Sequence, residues 1–252
     1  METYTTTLLP LLQAGAPALG FTLDEQQIAQ FELYYNTLVH WNSRVNLTSI
    51  TDYDQVQVRH FLDSLTVGAA LMRELGVKAP PPIGFRLLDI GTGAGFPGLP
   101  LKILWPQIRL ALADSIGKKT AFLKEVVGLL GLSNTEIITL RAEELALNKA
   151  HRQRYNAVTA RAVAALPVLC EYCLPFVKVG GWMLCPKKGD ISLEIADAKK
   201  ASRILGGSEP VLHPFVLPGE EEERFVVAIE KVRPTPPGYP RRVGLAKAEP
   251  LG

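Results

Sequence analysis

Cysteine is scarce in this sequence, three residues in 252. A small, odd number excludes the disulfide framework that staples small secreted domains. Cys170 and Cys173 form a C-x-x-C, but no second pair completes a zinc site, and no metal is expected. At i and i+3 of an amphipathic helical stretch they read as core packing, because free cysteine behaves as a small buried hydrophobe. Long apolar runs are missing too. None reaches the ~18 residues of a bilayer span, so no membrane partner is expected. The start, Met1-Glu2-Thr3-Tyr4-Thr5, lacks a basic n-region and a cleavage pattern, which makes the cytoplasm the expected compartment. Charge is balanced, 27 Lys+Arg against 25 Asp+Glu, so the molecule as a whole is no polycation. There is no internal repeat. No G-x-S-x-G elbow occurs, so His60, Asp63 and Ser64 do not read as a hydrolase triad.

What is present is an ordinary globular composition, 47% apolar, long enough for one large or two small domains. The first 80 residues read as helical. Thr22 and Glu25 are spaced as a capping box ahead of Ile28, Phe31, Tyr34, Tyr35 and Leu38. Thr51 is placed to cap a second long helix through Val56, Phe61, Leu65 and Ala69. Pro80-Pro81-Pro82 then forms a hinge or rigid linker. Beyond it strands at 85–90, 108–113, 135–140, 156–160 and 182–185 alternate with helices near 97–104, 116–130, 143–149, 166–177 and 190–205. Gly180-Gly181 reads as the turn before the fifth strand. Alternation of this kind predicts an α/β fold with a parallel sheet covered on both faces. Two last strands, near 211–216 and 224–231, flank Glu220-Glu221-Glu222-Glu223 and are expected to pair as a hairpin. The expected divisions are a helical N-terminal extension (1–80), an α/β domain (81–233) and a basic, proline-rich C-terminal tail (234–252). Pro234, Pro236, Pro237 and Pro240 argue against a helix in that tail.

The chemistry concentrates in Leu87-Leu88-Asp89-Ile90-Gly91-Thr92-Gly93-Ala94-Gly95-Phe96-Pro97-Gly98. A buried strand ends in an acid and runs into a glycine-rich turn that opens a helix. Without Cβ, glycine lets the backbone turn sharply and approach a ligand closely. Gly93, Gly95 and Gly98 satisfy G-x-G-x-x-G, the dinucleotide spacing, but Gly91 is the first glycine after the strand and Asp89 sits at the strand end. A carboxylate there opposes a pyrophosphate. It suits S-adenosylmethionine, whose amino-acid end is cationic. NAD-type binding and a purely structural turn are the alternatives. A second strand ends in Asp114, about 20 residues past the glycine turn, where an acid takes ribose hydroxyls of either cofactor type or caps a helix. In an open parallel sheet the site lies beyond the strands' carboxyl ends. The loops 89–98, 114–119, 141–144 and 161–164 converge there.

Other segments carry recognition chemistry. Trp41-Asn42-Ser43-Arg44-Val45-Asn46-Leu47-Thr48 mixes an aromatic, amides and a cation in a connector, which suits recognition or a well-satisfied turn. Lys118 and Lys119 open a helix against its macrodipole and are candidates for phosphate contact.

Taken in order, Trp41-Asn42, Asn46-Leu47-Thr48, Arg59-His60-Phe61-Leu62-Asp63-Ser64, the 88–98 turn, Arg141-Ala142-Glu143, Arg161-Ala162-Val163-Ala164 and Tyr239-Pro240-Arg241-Arg242-Val243-Gly244 resemble one family. It is the glucose-inhibited division protein B family (GidB, or RsmG), the small-subunit rRNA guanine-N7 methyltransferases. The resemblance covers roughly residues 25–250. It implies a class I S-adenosylmethionine-dependent methyltransferase, with a Rossmann-like seven-stranded sheet, mostly parallel with a C-terminal antiparallel hairpin, and a helical N-terminal extension. It implies methylation of one guanine in the 530 loop of 16S rRNA, on naked rRNA or the small ribosomal subunit, by a monomer. By matching motifs, Asp89, Gly91, Gly93 and Phe96 belong to the cofactor site, Asp114 and Ser115 to its ribose side, and Ala142 and Glu143 to the adenine border. Arg161 falls at the active-site mouth and is counted among the cofactor-binding residues as well. Arg44, Lys118, Lys119, Lys187, Lys188, Arg241 and Arg242 are the RNA-binding candidates. Guanine N7 has a free lone pair and no proton to lose, so in-line transfer needs orientation and no general base. A methyltransferase of another RNA, a protein or a small molecule, and a non-catalytic RNA-binding protein, are the competing readings.

Overall fold

The computed structural model describes residues 7–252; the Met1–Thr5 start and the rest of the first six residues lie outside the described residues. A short α1 (Pro10–Gly15) and a 3-10 turn lead to α2 (Glu25–Asn42). The cap of α2 is Asp24, not Thr22. Its Oδ1 accepts from the Gln27 N–H at 2.8 Å, and Gln27 Oε1 accepts from the Asp24 N–H at 2.9 Å. Both pairs have the box spacing, but the Gln27 amide also donates to the carbonyls of Ile103 and Leu104, at 3.0 and 3.1 Å. Asp52, not Thr51, caps α3 (Tyr53–Val56) through Gln55 N at 2.9 Å. The long helix expected next is irregular: a π-helical turn (Gln57–Leu62) separates α3 from α4 (Asp63–Leu75). Such a turn re-aims the side chains it carries, here Arg59 and His60.

The sheet begins with β1 (Arg86–Ile90), α5 (Gly98–Leu104), β2 (Arg109–Ala113), α6 (Gly117–Leu129), β3 (Thr135–Ile138) and α7 (Ala142–Leu145). Next come β4 (Tyr155–Thr159), α8 (Leu166–Cys173), β5 (Val177–Lys188), α9 (Ser192–Leu205), β6 (Val211–Phe215) and β7 (Arg224–Glu230). Strand order is β3-β2-β1-β4-β5-β7-β6. Strands β1 to β5 pair in parallel, and β7 is antiparallel to both β5 and β6, forming the expected terminal hairpin with β6. The chain steps outward from β1 to β3 and returns to β4 on the other side of β1. That reversal opens a crevice at the carboxyl ends of β1 and β4.

Gly180-Gly181 is not a turn ahead of β5 but part of it. The strand runs through both glycines because Gly180 N–H donates to the Lys231 carbonyl, and Lys231 N–H to the Gly181 carbonyl, each at 2.8 Å. Alternate residues of β1 face opposite layers. Leu87 packs with Phe31, Tyr34 and Phe61 of the N-terminal helices, whereas Leu88 and Ile90 pack with α8 and α9. The N-terminal helices thus form one face of the sandwich. The tail also differs from expectation. It holds α10 (Leu245–Ala248), beyond the last of the four prolines, with Ala246 buried in the α8 core. The fully buried Lys231 ammonium donates to the carbonyls of Leu174 (2.8 Å) and Leu205 (2.7 Å) and to the Thr235 hydroxyl, closing the ends of α8 and α9. Among the described residues no helix is long and apolar enough to cross a membrane.

Candidate active site

The glycine turn is shaped from below by Asp89. This residue is fully buried, and its Oδ2 accepts from the Thr92 hydroxyl at 2.7 Å and from the Gly98 N–H at 2.9 Å. The carboxylate therefore fastens the turn to the start of α5. Its Oδ1 is buried without a partner. Burial pushes the Asp89 carboxyl up to about 7, against the lowering effect of those two hydrogen bonds. Gly91, at φ +64°, has no room for a side chain: a Cβ there would lie 2.6 Å from Val163 Cγ2. Asp114 ends β2 and bridges two loops. Its Oδ2 accepts from the Gly93 N–H at 3.0 Å and its Oδ1 from the Ile116 N–H at 2.9 Å. Lys119 Nζ lies 4.0 Å from the same carboxylate, which gives that lysine a local partner.

Two cavities meet above the sheet. The first, about 340 Å³, is lined by Gly91, Asp114, Ser115, Ala142 and Glu143, together with Ile90, Val163, Tyr172, Gly244 and Lys247. The sequence-derived ribose and adenine residues are thus brought together. Asp89, Gly93 and Phe96 do not line this cavity; Asp89 supports its floor from beneath. Tyr172, Gly244 and Lys247 were not singled out for it from the sequence. Burial and the neighbouring Glu143 carboxylate push the Tyr172 phenol up to about 12. Glu143 Oε1 accepts from the Gly244 N–H at 3.0 Å.

The second cavity, about 480 Å³, is lined by Arg59, His60, Asp63, Arg161, Lys187, Lys188, Glu220 and Arg224 among others. Ala162, at φ +56°, lines both cavities and is the wall between them. The polar groups form a chain of alternating charge. Glu220 accepts from Arg59 Nε and from Arg224 Nη2, both at 2.7 Å. Asp63 accepts from Arg224 Nη1 at 3.1 Å and from Arg161 Nη1 at 2.7 Å. Arg161 Nη2 lies 3.1 Å from His60 Nδ1. Beneath them Phe96 stacks on His60 with centroids 4.5 Å apart, and the Arg161 guanidinium sits 5.0 Å from the Phe96 ring centre. Burial, with the Arg161 charge beside it, pushes His60 down to about 3, so its imidazole is neutral. Thr48 Oγ1 lies 2.8 Å from the other ring nitrogen.

The remaining candidates are scattered. Asn42 ties the connector together, its Oδ1 accepting from the N–H groups of Leu47 and Thr48 at 2.8 and 3.0 Å, so this amide serves the turn. Arg44, Lys118 and Arg242 are exposed. Lys187 donates to Glu194 at 2.6 Å, and the exposed Lys188 to Glu222 at 3.0 Å. Arg241 points inward, onto the buried Glu171. Cys170, Cys173 and Cys185 are buried thiols in the core, and burial pushes the Cys170 thiol up.

A seven-stranded sheet with this order, an acid-supported glycine turn at the first strand and a second acid at the end of the next define a class I methyltransferase fold. Among solved structures, geranyl diphosphate methyltransferase in complex with S-adenosylmethionine aligns over 71% of this chain and 90% of its own at a TM-score of 0.50 and 12% identity, a likeness of fold alone. Residues 27–222 match the family described as rRNA small subunit methyltransferase G, and the chain belongs to that family. The relative from Dehalococcoides mccartyi (strain CBDB1), a "Ribosomal RNA small subunit methyltransferase G", is 48% identical over 94% of this chain and 97% of its own length. The protein of the same name from Roseiflexus sp. (strain RS-1) is 46% identical over 96% of this chain and 100% of its own.

Proposed function

We propose that this protein transfers a methyl group from S-adenosylmethionine to N7 of a guanine in the 530 loop of 16S rRNA. The observation that carries the reading is the pair of cavities that share Ala162, one with the acids and glycine of a nucleoside site, the other rich in arginine and lysine. The residues present fit the cofactor. Gly91, where Val163 and a positive φ bar any side chain, keeps bare backbone on the cavity, Asp114 offers carboxylate oxygens to ribose hydroxyls, and the unpartnered Asp89 Oδ1 leaves negative charge beneath an ammonium. Ala142 and Glu143 border the base, and Ser115 the ribose. When bound, the cofactor supplies an electrophilic methyl on a sulfonium.

The rest is done by the chain. Arg161, held by Asp63 and lying over Phe96, holds a phosphate or the base edge beside Ala162. A neutral His60 presents a flat, uncharged edge and takes no proton at neutral pH, which agrees with chemistry at a nitrogen that has none to lose. Orientation and exclusion of water then supply the acceleration. The base must leave its stack or lie in an opened loop to reach the cavity. A small-molecule methyltransferase has no need of the cations around the second cavity. The test is methyl transfer to 30S subunits lacking the modification, followed by mapping of the methylated base. A product other than N7-methylguanine, or a site outside the 530 loop, refutes the proposal.

A further inference from the structure

The C-terminal tail reads from composition either as a phosphate-contacting basic segment or as a solvated tail. Its contacts are of another kind. Gly244 and Lys247 line the first cavity, beside Ala142, Glu143 and Tyr172. Two buried carboxylates hold the segment there. Glu171, 1% exposed, accepts from the backbone N–H of Arg241 at 2.7 Å, from Nε at 3.0 Å and from Nη2 at 2.7 Å. Glu143, 6% exposed, accepts from the Gly244 N–H at 3.0 Å. Arg241 Nη2 also donates to the Glu249 carbonyl at 2.8 Å, and Arg152 Nη1 to the Tyr239 carbonyl at 2.7 Å, so the segment is held at both of its ends. Ala246, 1% exposed, docks α10 into the α8 core.

A carboxylate this buried is costly unless paired and hydrogen-bonded. Glu171 meets that condition only while Arg241 is docked. Glu143 touches both the tail and the border of the cavity. We infer that residues 239–249 form the outer wall of the nucleoside end of the cofactor cavity, latched by Glu171 and Arg241, and that docking of this wall and cofactor occupancy favour one another. The inference rests on the reading of the first cavity as the cofactor site. Arg241 is then a positioning residue for the cofactor and does not contact RNA.

Two measurements on the full chain test it. In the first, trypsin cleavage after Arg242 and Lys247 in the wild-type protein is followed with and without S-adenosylhomocysteine. Cleavage there is expected to slow at least fivefold with ligand, relative to cleavage after Lys78. In the second, Arg241→Ala is expected to raise the dissociation constant for S-adenosylhomocysteine, and the KM for S-adenosylmethionine, at least tenfold. The KM for 30S subunits is expected to stay within twofold. Unprotected cleavage, or a variant whose RNA KM rises while cofactor affinity is kept, overturns the inference and makes the tail an RNA contact. If the wild-type protein binds no S-adenosylhomocysteine, the cofactor reading itself fails and takes the wall with it. The protection experiment needs no substitution, so it decides the matter even if Arg241→Ala does not fold.

Discussion

Replacing Arg161 with alanine separates the stability of this site from its chemistry. Arg161 Nη1 donates to Asp63 at 2.7 Å and to the Arg59 carbonyl at 3.0 Å, and its side chain is 16% exposed against 7% for Asp63. Breaking a buried pair by removing one partner costs about 3–5 kcal/mol, because the other charge is stranded. Asp63 is not stranded, since Arg224 still donates to its Oδ1 at 3.1 Å. The expected cost therefore falls to about 1–3 kcal/mol, the scale of one hydrogen bond to a charged group. At about 2–4 °C per kcal/mol for a chain of this size, Tm falls roughly 2–12 °C and the protein stays folded at assay temperature. Arg161, although its motif also places it with the cofactor residues, does not line the first cavity, so affinity for S-adenosylhomocysteine by calorimetry is expected to stay within about twofold, below the scale of a lost hydrogen bond. Initial rates of methyl transfer to 30S subunits are expected to fall about 100-fold or more, the scale of a misplaced reactant. Arg161→Lys recovers part of the Tm but little of the rate, because an ammonium lacks the planar fork. A folded Arg161→Ala protein that methylates at the wild-type rate refutes the assignment of this residue. So does a rate loss that only mirrors a loss of cofactor binding.

Asp89 makes cofactor affinity depend on pH. Its carboxyl is raised from 3.8 to about 7 in the fold, so stability gained by the protonated group below pH 4 is lost as pH rises through 7. The ammonium of a bound ligand favours the carboxylate, so affinity for S-adenosylhomocysteine rises between pH 6 and 8, and affinity for S-adenosylmethionine, which adds a sulfonium, rises at least as much. Asp89→Asn flattens that profile, and a flat wild-type profile contradicts the argument. Arg242→Ala, at an exposed position, lowers the slope of log K against log salt for rRNA binding by about one phosphate's worth; an unchanged slope leaves Arg242 without a phosphate contact. Lys231→Met removes the shared donor of the Leu174 and Leu205 carbonyls, leaving them one Thr235 hydroxyl at 3.4 and 3.0 Å, and costs about 1–3 kcal/mol, read as a lower urea midpoint. A wild-type midpoint means that the ammonium contributes nothing net.

The sheet was legible because its signals are local. Apolar runs ending in Asp89 and Asp114, glycines between them and an acidic turn between two final strands appear directly in the sequence. The errors arose where local chemistry allows two answers. Thr22-x-x-Glu25 and Asp24-x-x-Gln27 both fit a capping box, and contacts to Ile103 and Leu104, far along the chain, select the second. Gly180-Gly181 looks like a turn until Lys231 pairs with it. Five residues that line the first cavity, Gly91, Asp114, Ser115, Ala142 and Glu143, stand out by motif. Glu220 and Arg224 do not, because their partners Arg59 and Asp63 lie 161 residues away in the chain. For the same reason Arg241 looked like a free cation: Glu171, which neutralises it, lies in a segment that reads only as core helix.

The π turn over Gln57–Leu62 makes chain length itself a functional variable. Each residue of a helix accounts for about 100° of rotation, so deleting one residue from this turn restores the register of a regular α-helix. Everything N-terminal to the cut would then be rotated by that angle against Asp63. Removing Val58, for instance, would leave a helix with regular i→i−4 hydrogen bonds at the loss of one buried valine. Thr48, Tyr53 and the start of the helix would no longer present their side chains where His60 and the first helices need them. The deletion that most improves this helix as a helix is therefore one the site cannot absorb. Relatives that differ in length should place their insertions and gaps outside this stretch.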